Sequence, residues 1–267
     1  MSNKYNTPWR QMAAAIFEKP SDGKVSGIRD WNMTEVAKAM KEWNTDGHHI
    51  TYTHVFMSMM GRAVAEYAPE VNAHCQWGKT IARDDIVVST AVSVKGKDLT
   101  TVKIHNADRK SIFELSEETI NFVAERRAGK DEKGMSSRNT LAKVPWPVRK
   151  WIFKGLRWTT YELGLELPGT GLSKDMFGSV LISNIGSLGV DYGIPALMPA
   201  SNLSFVFSIG KVQEKAIVVD GNVVPALMLP VGATFDHRVV DGYHIAKLIK
   251  GLDYFSQNPH ELEISKM

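Results

Sequence analysis

Hydrophobic positions along the chain change period several times, and each change marks an element. Val36, Met40 and Trp43 recur at helical spacing behind Asn32 and Glu35, which stand as in a capping box, so a helix is expected over 32–44. A second is expected from Thr53 to Tyr67, with Phe56, Met59, Met60, Ala63 and Tyr67 on one side and Pro69 as its stop. The β-branched stretch Ile86 to Val94 predicts a strand. Ser111 and Glu114 repeat the capping-box spacing and open a helix ending near Gly129. Gly178 to Ser183 predicts a strand running into a glycine-punctuated turn, Asn184 to Gly189, and Leu203 to Ile209 predicts another. Asp220-Gly221, between the runs Ile217 to Val219 and Asn222 to Val224, predicts a hairpin with a tight primed turn. Leu227 to Thr234 is a further strand, and a helix from about Tyr243 to Phe255 closes the sequence of elements. Long strands mixed with long helices, without regular alternation, predict an α+β class: a mixed-sheet sandwich with flanking helices, and no doubly wound fold.

Residues 130–175 break this pattern. A charged loop, Lys130 to Gly134, precedes Pro145-Trp146-Pro147, which opens a segment running through Leu167. Within it Trp146, Trp151, Phe153 and Trp158 are interleaved with Arg149, Lys150, Lys154 and Arg157. A basic, Trp-bearing amphipathic helix can lie on a membrane surface or attract an anionic ligand. It can equally pack on its own protein, the commoner fate of aromatic stripes at helical spacing.

Composition narrows the function classes. The 267 residues suffice for one large α/β domain or two small ones, and 43% hydrophobic content permits a sizeable core. Lys plus Arg number 32 against 29 Asp plus Glu, a balance too even to point to nucleic acid. Cys75 stands alone, so no internal disulfide and no cysteine-based zinc site is expected, and no metal site is assigned. The segment Met1 to Trp9 lacks the apolar run of a signal peptide, and no stretch approaches the ~20 apolar residues of a membrane span; the expectation is a cytoplasmic protein.

The candidate chemistry centres on Asp236-His237-Arg238, where an apolar strand gives way to Asp241-Gly242 and a helix. Strand-to-helix junctions hold side chains on rigid backbone with one side open. From spacing alone His237 reads equally as a catalytic base or as a structural histidine held by a carboxylate. Ser183 by itself reads as a turn residue.

The motif His237-x-x-x-Asp241-Gly242 resembles the catalytic domain of dihydrolipoyl acyltransferases, the core subunits of 2-oxo acid dehydrogenase complexes, and of chloramphenicol acetyltransferase, which shares their fold. Ala63-Val64-Ala65 to Val71-Asn72-Ala73, the strand from Ile86, Asn106-Ala107-Asp108-Arg109-Lys110-Ser111, Ala128-Gly129, Ile182-Ser183-Asn184-Ile185-Gly186, Pro199 and Leu229-Pro230 carry the resemblance in order, over roughly 30–130 and 176–260. It implies a chloramphenicol acetyltransferase-like fold and transfer of an acyl group between a coenzyme A thioester and a lipoyl-type or other thiol acceptor. Thiols titrate near ~8.5 and imidazole near ~6.5, so a histidine suits removal of the thiol proton during attack. By the resemblance His237 is that base, Ser183 donates to the oxyanion, and Asp241 supports by orienting the imidazole or pairing with an arginine. The family's sites lie between subunits of a trimer, with histidine and serine from different chains; a larger cage stays open. A noncatalytic trimeric or cage-forming scaffold is the alternative of a different class.

Three departures accompany the resemblance. The chain is expected to be a single acyltransferase domain over 1–267, without lipoyl or subunit-binding domain and without a lipoyl attachment site. His105 stands where the family carries arginine, beside an unusual Thr101-Val102-Lys103. The stretch at about 131–175 is a basic aromatic insertion just before Ser183, expected to shape the second substrate's entrance. No particular coenzyme A contact is singled out among Arg149, Lys150, Lys154 and Arg157.

Overall fold

A computed structural model describes residues 24–94, 98–128, 144–165, 175–198 and 201–266. The Lys130–Gly134 loop, Leu167 and Pro199 lie outside the described residues. The elements in order are β1 (Lys24–Asn32), α1 (Thr34–Thr45), α2 (Tyr52–Tyr67), β2 (Ala73–Gln76), β3 (Lys79–Ala82), β4 (Val88–Val94), β5 (Asp98–Ile104), α3 (Ile112–Arg127), α4 (Trp146–Arg157), β6 (Val180–Asn184), β7 (Phe205–Ile209), β8 (Gln213–Val219), β9 (Asn222–Asp236) and α5 (Gly242–Gln257). A π-helical turn, Trp158–Glu162, continues α4.

Strands β4, β6, β7 and β9 turn alternate apolar residues to the core in a 7-stranded mixed sheet, ordered β1-β9-β7-β6-β4-β5 with β8 also on β9. The pairs β4–β6 and β6–β7 are parallel and the others antiparallel. Val180, Ile182, Phe205, Phe207, Ile209, Leu229, Val231 and Phe235 are buried in one cluster with Phe56, Met59, Met60 and Leu252 from the helices. Each such side chain, fully buried, contributes about 1.5–3 kcal/mol. Helix α2 runs through the middle of this core, with residues 54–64 all buried. Helix α5 lies so close to it that a Cβ on Gly251 would fall 2.9 Å from Ala63 Cβ, a contact that only glycine admits.

The other face of the sheet carries smaller and more polar positions, Ser89, Ser208, Gly232 and Thr234 among them, and a smaller apolar cluster of Phe177, Leu197, Leu203 and Val206. The segment following β6 drapes over it: Gly193 O accepts from Ser208 Oγ, and Pro195 O accepts from Thr234 Oγ1 at 2.6 Å.

Several local expectations meet the structure directly. Ser111 and Glu114 form a reciprocal capping box. Asp220 and Gly221 adopt φ of 51° and 80° in the β8–β9 turn, as a primed hairpin demands. Asn32 and Glu35 do not form the expected box: Asn32 Oδ1 accepts from Thr34 N at 3.0 Å, while Glu35 turns outward to Lys38. Strand β9 runs unbroken for 15 residues through both segments read separately in the sequence.

Candidate active site

Strand β9 delivers His237 to one end of the sheet. Phe235 anchors the strand in the core, and the next residue, Asp236, is buried with its N–H on Ser204 O at 3.0 Å. Its carboxylate accepts from Arg238 Nε at 2.9 and 3.1 Å, from Nη2 at 2.6 Å and from Arg238 N at 3.0 Å. This fork raises the Arg238 pKa, chiefly through the hydrogen bonds from the guanidinium to the carboxylate. Asp236 O then accepts from the N–H groups of Val239 and Val240, and Val240 is buried. His237 therefore sits on a turn fixed on both sides. Its imidazole is exposed and has no hydrogen-bond partner among the described residues.

Asp241 does not reach that imidazole. It is the N-cap of α5: one carboxylate oxygen accepts from Tyr243 N at 3.0 Å and His244 N at 3.2 Å, and His244 Nδ1 returns to Asp241 N at 3.2 Å. The His244 backbone hydrogen bond is the main reason that its pKa falls below the usual aspartate value. The arginine pairing considered for Asp241 belongs to Asp236 instead.

Ser183 is the penultimate residue of β6, on the face opposite α2 and α5, next to Ser208 across the parallel ladder. It is half-buried, and its hydroxyl has no partner among the described residues. The turn after it is held firmly. Asn184 Nδ2 donates to Thr53 Oγ1 at 2.8 Å, Asn184 Oδ1 accepts from Ser187 N at 2.9 Å, and Ile185 N donates to Ile209 O at 3.0 Å. A Cβ on Gly186 would stand 2.4 Å from the Gly210 carbonyl, so the turn closes only with glycine there.

One chain does not bring His237 and Ser183 together. Ser183 is in register with Ser208, and Ser208 with Gly232. From Gly232 to His237 is about 17 Å along the strand, and two strand spacings add about 10 Å sideways. Both side chains are presented, at opposite ends of one sheet.

Of the insertion, the stretch 144–165 is described, and its end meets the β2–β3 hairpin. Glu162 O accepts from Gln76 Nε2 at 2.9 Å and its carboxylate from Trp77 N at 2.7 Å, tying the end of α4 to the β2–β3 hairpin. Glu162 acts electrostatically on Arg238, so this unit lies near the His237 end. His105 hydrogen-bonds Asp85 at 2.7 Å through Nδ1, and Lys103 Nζ donates to Asp175 O at 2.6 Å. The sequence pattern puts Asp236 in the cluster with His237 but does not reveal its fork with Arg238, for which the D-x-R spacing is the local signal.

Comparison with known proteins adds the following. The model of the family described as 2-oxoacid dehydrogenases acyltransferase (catalytic domain) matches residues 6–137 and 172–264 and leaves 138–171 unmatched. The acetyltransferase component of the Bacillus subtilis pyruvate dehydrogenase complex is 31% identical over 146 residues, 55% of this chain and 24% of that protein. A probable succinyltransferase component of the Schizosaccharomyces pombe 2-oxoglutarate dehydrogenase complex is 26% identical over 274 residues, 97% of this chain and 51% of that protein. The chain thus spans between a quarter and a half of these relatives. Among solved structures, a probable dihydrolipoamide acetyltransferase from Listeria monocytogenes aligns with a TM-score of 0.67 at 16% identity, over 94% of this chain and 89% of its own. The Azotobacter vinelandii dihydrolipoamide acetyltransferase, in which a serine, a histidine and an asparagine were investigated for their catalytic roles, aligns at 0.63 and 18%, over 90% and 83%. Chloramphenicol acetyltransferase aligns at 0.50 and 14%, over 93% and 94%.

Proposed function

The chain belongs to the family of 2-oxoacid dehydrogenase acyltransferase catalytic domains, and on that premise we propose that it moves an acyl group between a coenzyme A thioester and a thiol acceptor, with His237 as base and Ser183 as oxyanion donor. The observation that carries the reading is the pair of presented, uncommitted side chains: an exposed imidazole on a turn locked by Asp236 and Arg238, and a hydroxyl at a strand end braced by Asn184 and Gly186. The Azotobacter enzyme supports the pairing, since its serine precedes its histidine by 52 residues and Ser183 precedes His237 by 54.

In this reaction the imidazole nitrogen takes the S–H proton as sulfur attacks the thioester carbonyl carbon. The new C–S bond pushes the carbonyl electrons onto oxygen, and the Ser183 O–H donates to that oxyanion. When the carbonyl re-forms, the old C–S bond breaks and the imidazolium returns its proton to the departing thiolate. Base catalysis of this kind contributes roughly 10²–10⁴ in rate, and one oxyanion donor roughly 10²–10³.

The distance between the two residues within a chain supports a site completed across a subunit boundary, with a homotrimer as the smallest active unit. Asp241 then acts by capping α5 and so fixing the far side of the His237 turn. In the Azotobacter enzyme the asparagine follows the histidine by four residues, as Asp241 follows His237, and asparagine caps helices as well as aspartate does.

Acyl exchange tests the assignment: acyl-CoAs of graded chain length with free dihydrolipoamide, thiol release being followed. Release is expected from the wild type and a fall of about 10²–10⁴ in His237→Ala, whose mass by light scattering is unchanged. Equal turnover in that variant overturns the mechanism.

A further inference from the structure

The segment outside the family match forms a surface that the acyltransferase reading does not use. Among the described residues, helix α4 packs on its own protein by one side. Phe153 is buried there, as is Arg149, whose guanidinium donates to Val144 O at 3.0 and 2.6 Å. At the helical pitch Trp151, Trp158 and Val148 fall on the opposite side, with Lys150, Lys154 and Arg157 along one edge. Every charge on α4 is positive. Trp151 is 71% exposed, and Lys154 Nζ lies 5.7 Å from its ring centroid.

A second element extends the face. Trp158 meets Trp77 edge-to-face at 6.2 Å, and Trp77, also exposed, forms the tip of the β2–β3 hairpin with Gly78. Its φ of 51° is a costly conformation for so bulky a residue. The Glu162 carboxylate on Trp77 N holds it there. Exposed indoles on projecting elements, edged by lysine and arginine, have the chemistry of the bilayer interface: the ring body enters the acyl boundary, the N–H stays wet, and the cations meet anionic headgroups. A protein partner is better served by a groove, whereas these rings stand outward from a helix and a hairpin tip. Among the described residues no helix is long and apolar enough to cross a membrane, so the contact is peripheral.

We propose that the Trp77–Trp151–Trp158 face, with Lys150, Lys154 and Arg157, seats this protein on an anionic phospholipid bilayer, α4 lying in the headgroup plane. The contact is independent of the acyltransferase reading. The test is flotation of the full chain at low salt with phosphatidylcholine vesicles, with and without phosphatidylglycerol. The expected result is flotation with the anionic vesicles alone, with indole emission quenched by brominated acyl chains. Neutralising two cations in Lys150→Gln/Lys154→Gln weakens binding roughly 30-fold. Trp151→Ala, at an exposed site that folding does not need, weakens it too, while His237→Ala binds as the wild type does. Failure of the wild type to float with anionic vesicles overturns the proposal, as does unchanged flotation of both face variants. A solution mass that falls in Trp151→Ala without any vesicle binding identifies a second copy as the occupant and overturns it as well.

Discussion

The sheet register makes a quantitative prediction about mixed assemblies. Ser183 and His237 of one chain stand about 20 Å apart by the strand geometry, far beyond the ~3 Å over which both must address one thioester. Under the proposed mechanism, two variants, His237→Ala and Ser183→Ala, should each disable every site when pure, by about 10²–10⁴ and 10²–10³ respectively. When equal amounts are unfolded and refolded together, a site drawing its histidine from one subunit and its serine from a neighbour is intact when the first is a serine variant and the second a histidine variant. Random assortment makes that about one site in four. The refolded mixture should therefore recover about a quarter of wild-type acyl exchange, tens of times more than the sum of its parents. The assay is thiol release from acyl-CoA, on material whose mixed composition is verified by mass spectrometry of differently tagged subunits. Activity no greater than the parental sum, in verified mixed assemblies, would refute the shared site.

Two further outcomes follow from the local geometry. Asp241→Ala removes the acceptor for Tyr243 N and His244 N and should lower the melting temperature together with activity, whereas Asp241→Asn keeps the cap and should retain most of both; a stable Asp241→Asn that is inactive would give the carboxylate a direct chemical role. His54 is buried and its pKa is lowered to about 4, mainly by desolvation. The unfolded chain therefore takes up this proton first, near pH ~6.5, so folding stability falls as pH drops from 6.5 towards 4, by up to about 3 kcal/mol. Urea unfolding at pH 7 and pH 5 should show this loss, and His54→Gln should abolish much of the difference between them.

Some of the site was legible because short-range chemistry wrote it. The Ser111–Glu114 box, the Asp220–Gly221 turn and the helix after Gly242 depend on neighbours a few residues apart, so the sequence pattern suffices. The cap by Asp241 was equally local: an aspartate directly before a helix is a cap signal, and it was read as a partner for an imidazole or an arginine. Strands β1, β2, β3 and β5 were not read from the sequence. Most residues of β1 are exposed, with Gly27 and Asp30 weakening its pattern, and it exists because β9 offers it an edge from Met228 to Asp236. The sequence of Arg62 gives no hint that it lies wholly buried, reaching the carbonyls of Lys110 and Ile264.

What the sequence by itself determined is the set of chemical groups and the elements that carry them: the mixed α+β pattern, the imidazole at a strand-to-helix junction, the serine ahead of a glycine turn, and the basic aromatic stretch of α4. These follow from periodicity, capping and turn preference, which act over a handful of residues. Only the tertiary structure decided where those groups stand relative to each other. Parallel pairing of β6 on β7 and antiparallel pairing of β7 on β9 set Ser183 and His237 at opposite ends of the sheet. Burial of Phe153 and Arg149 turned the tryptophans of α4 outward. Register and burial are fixed by contacts between residues tens to hundreds of positions apart, and no local pattern encodes them.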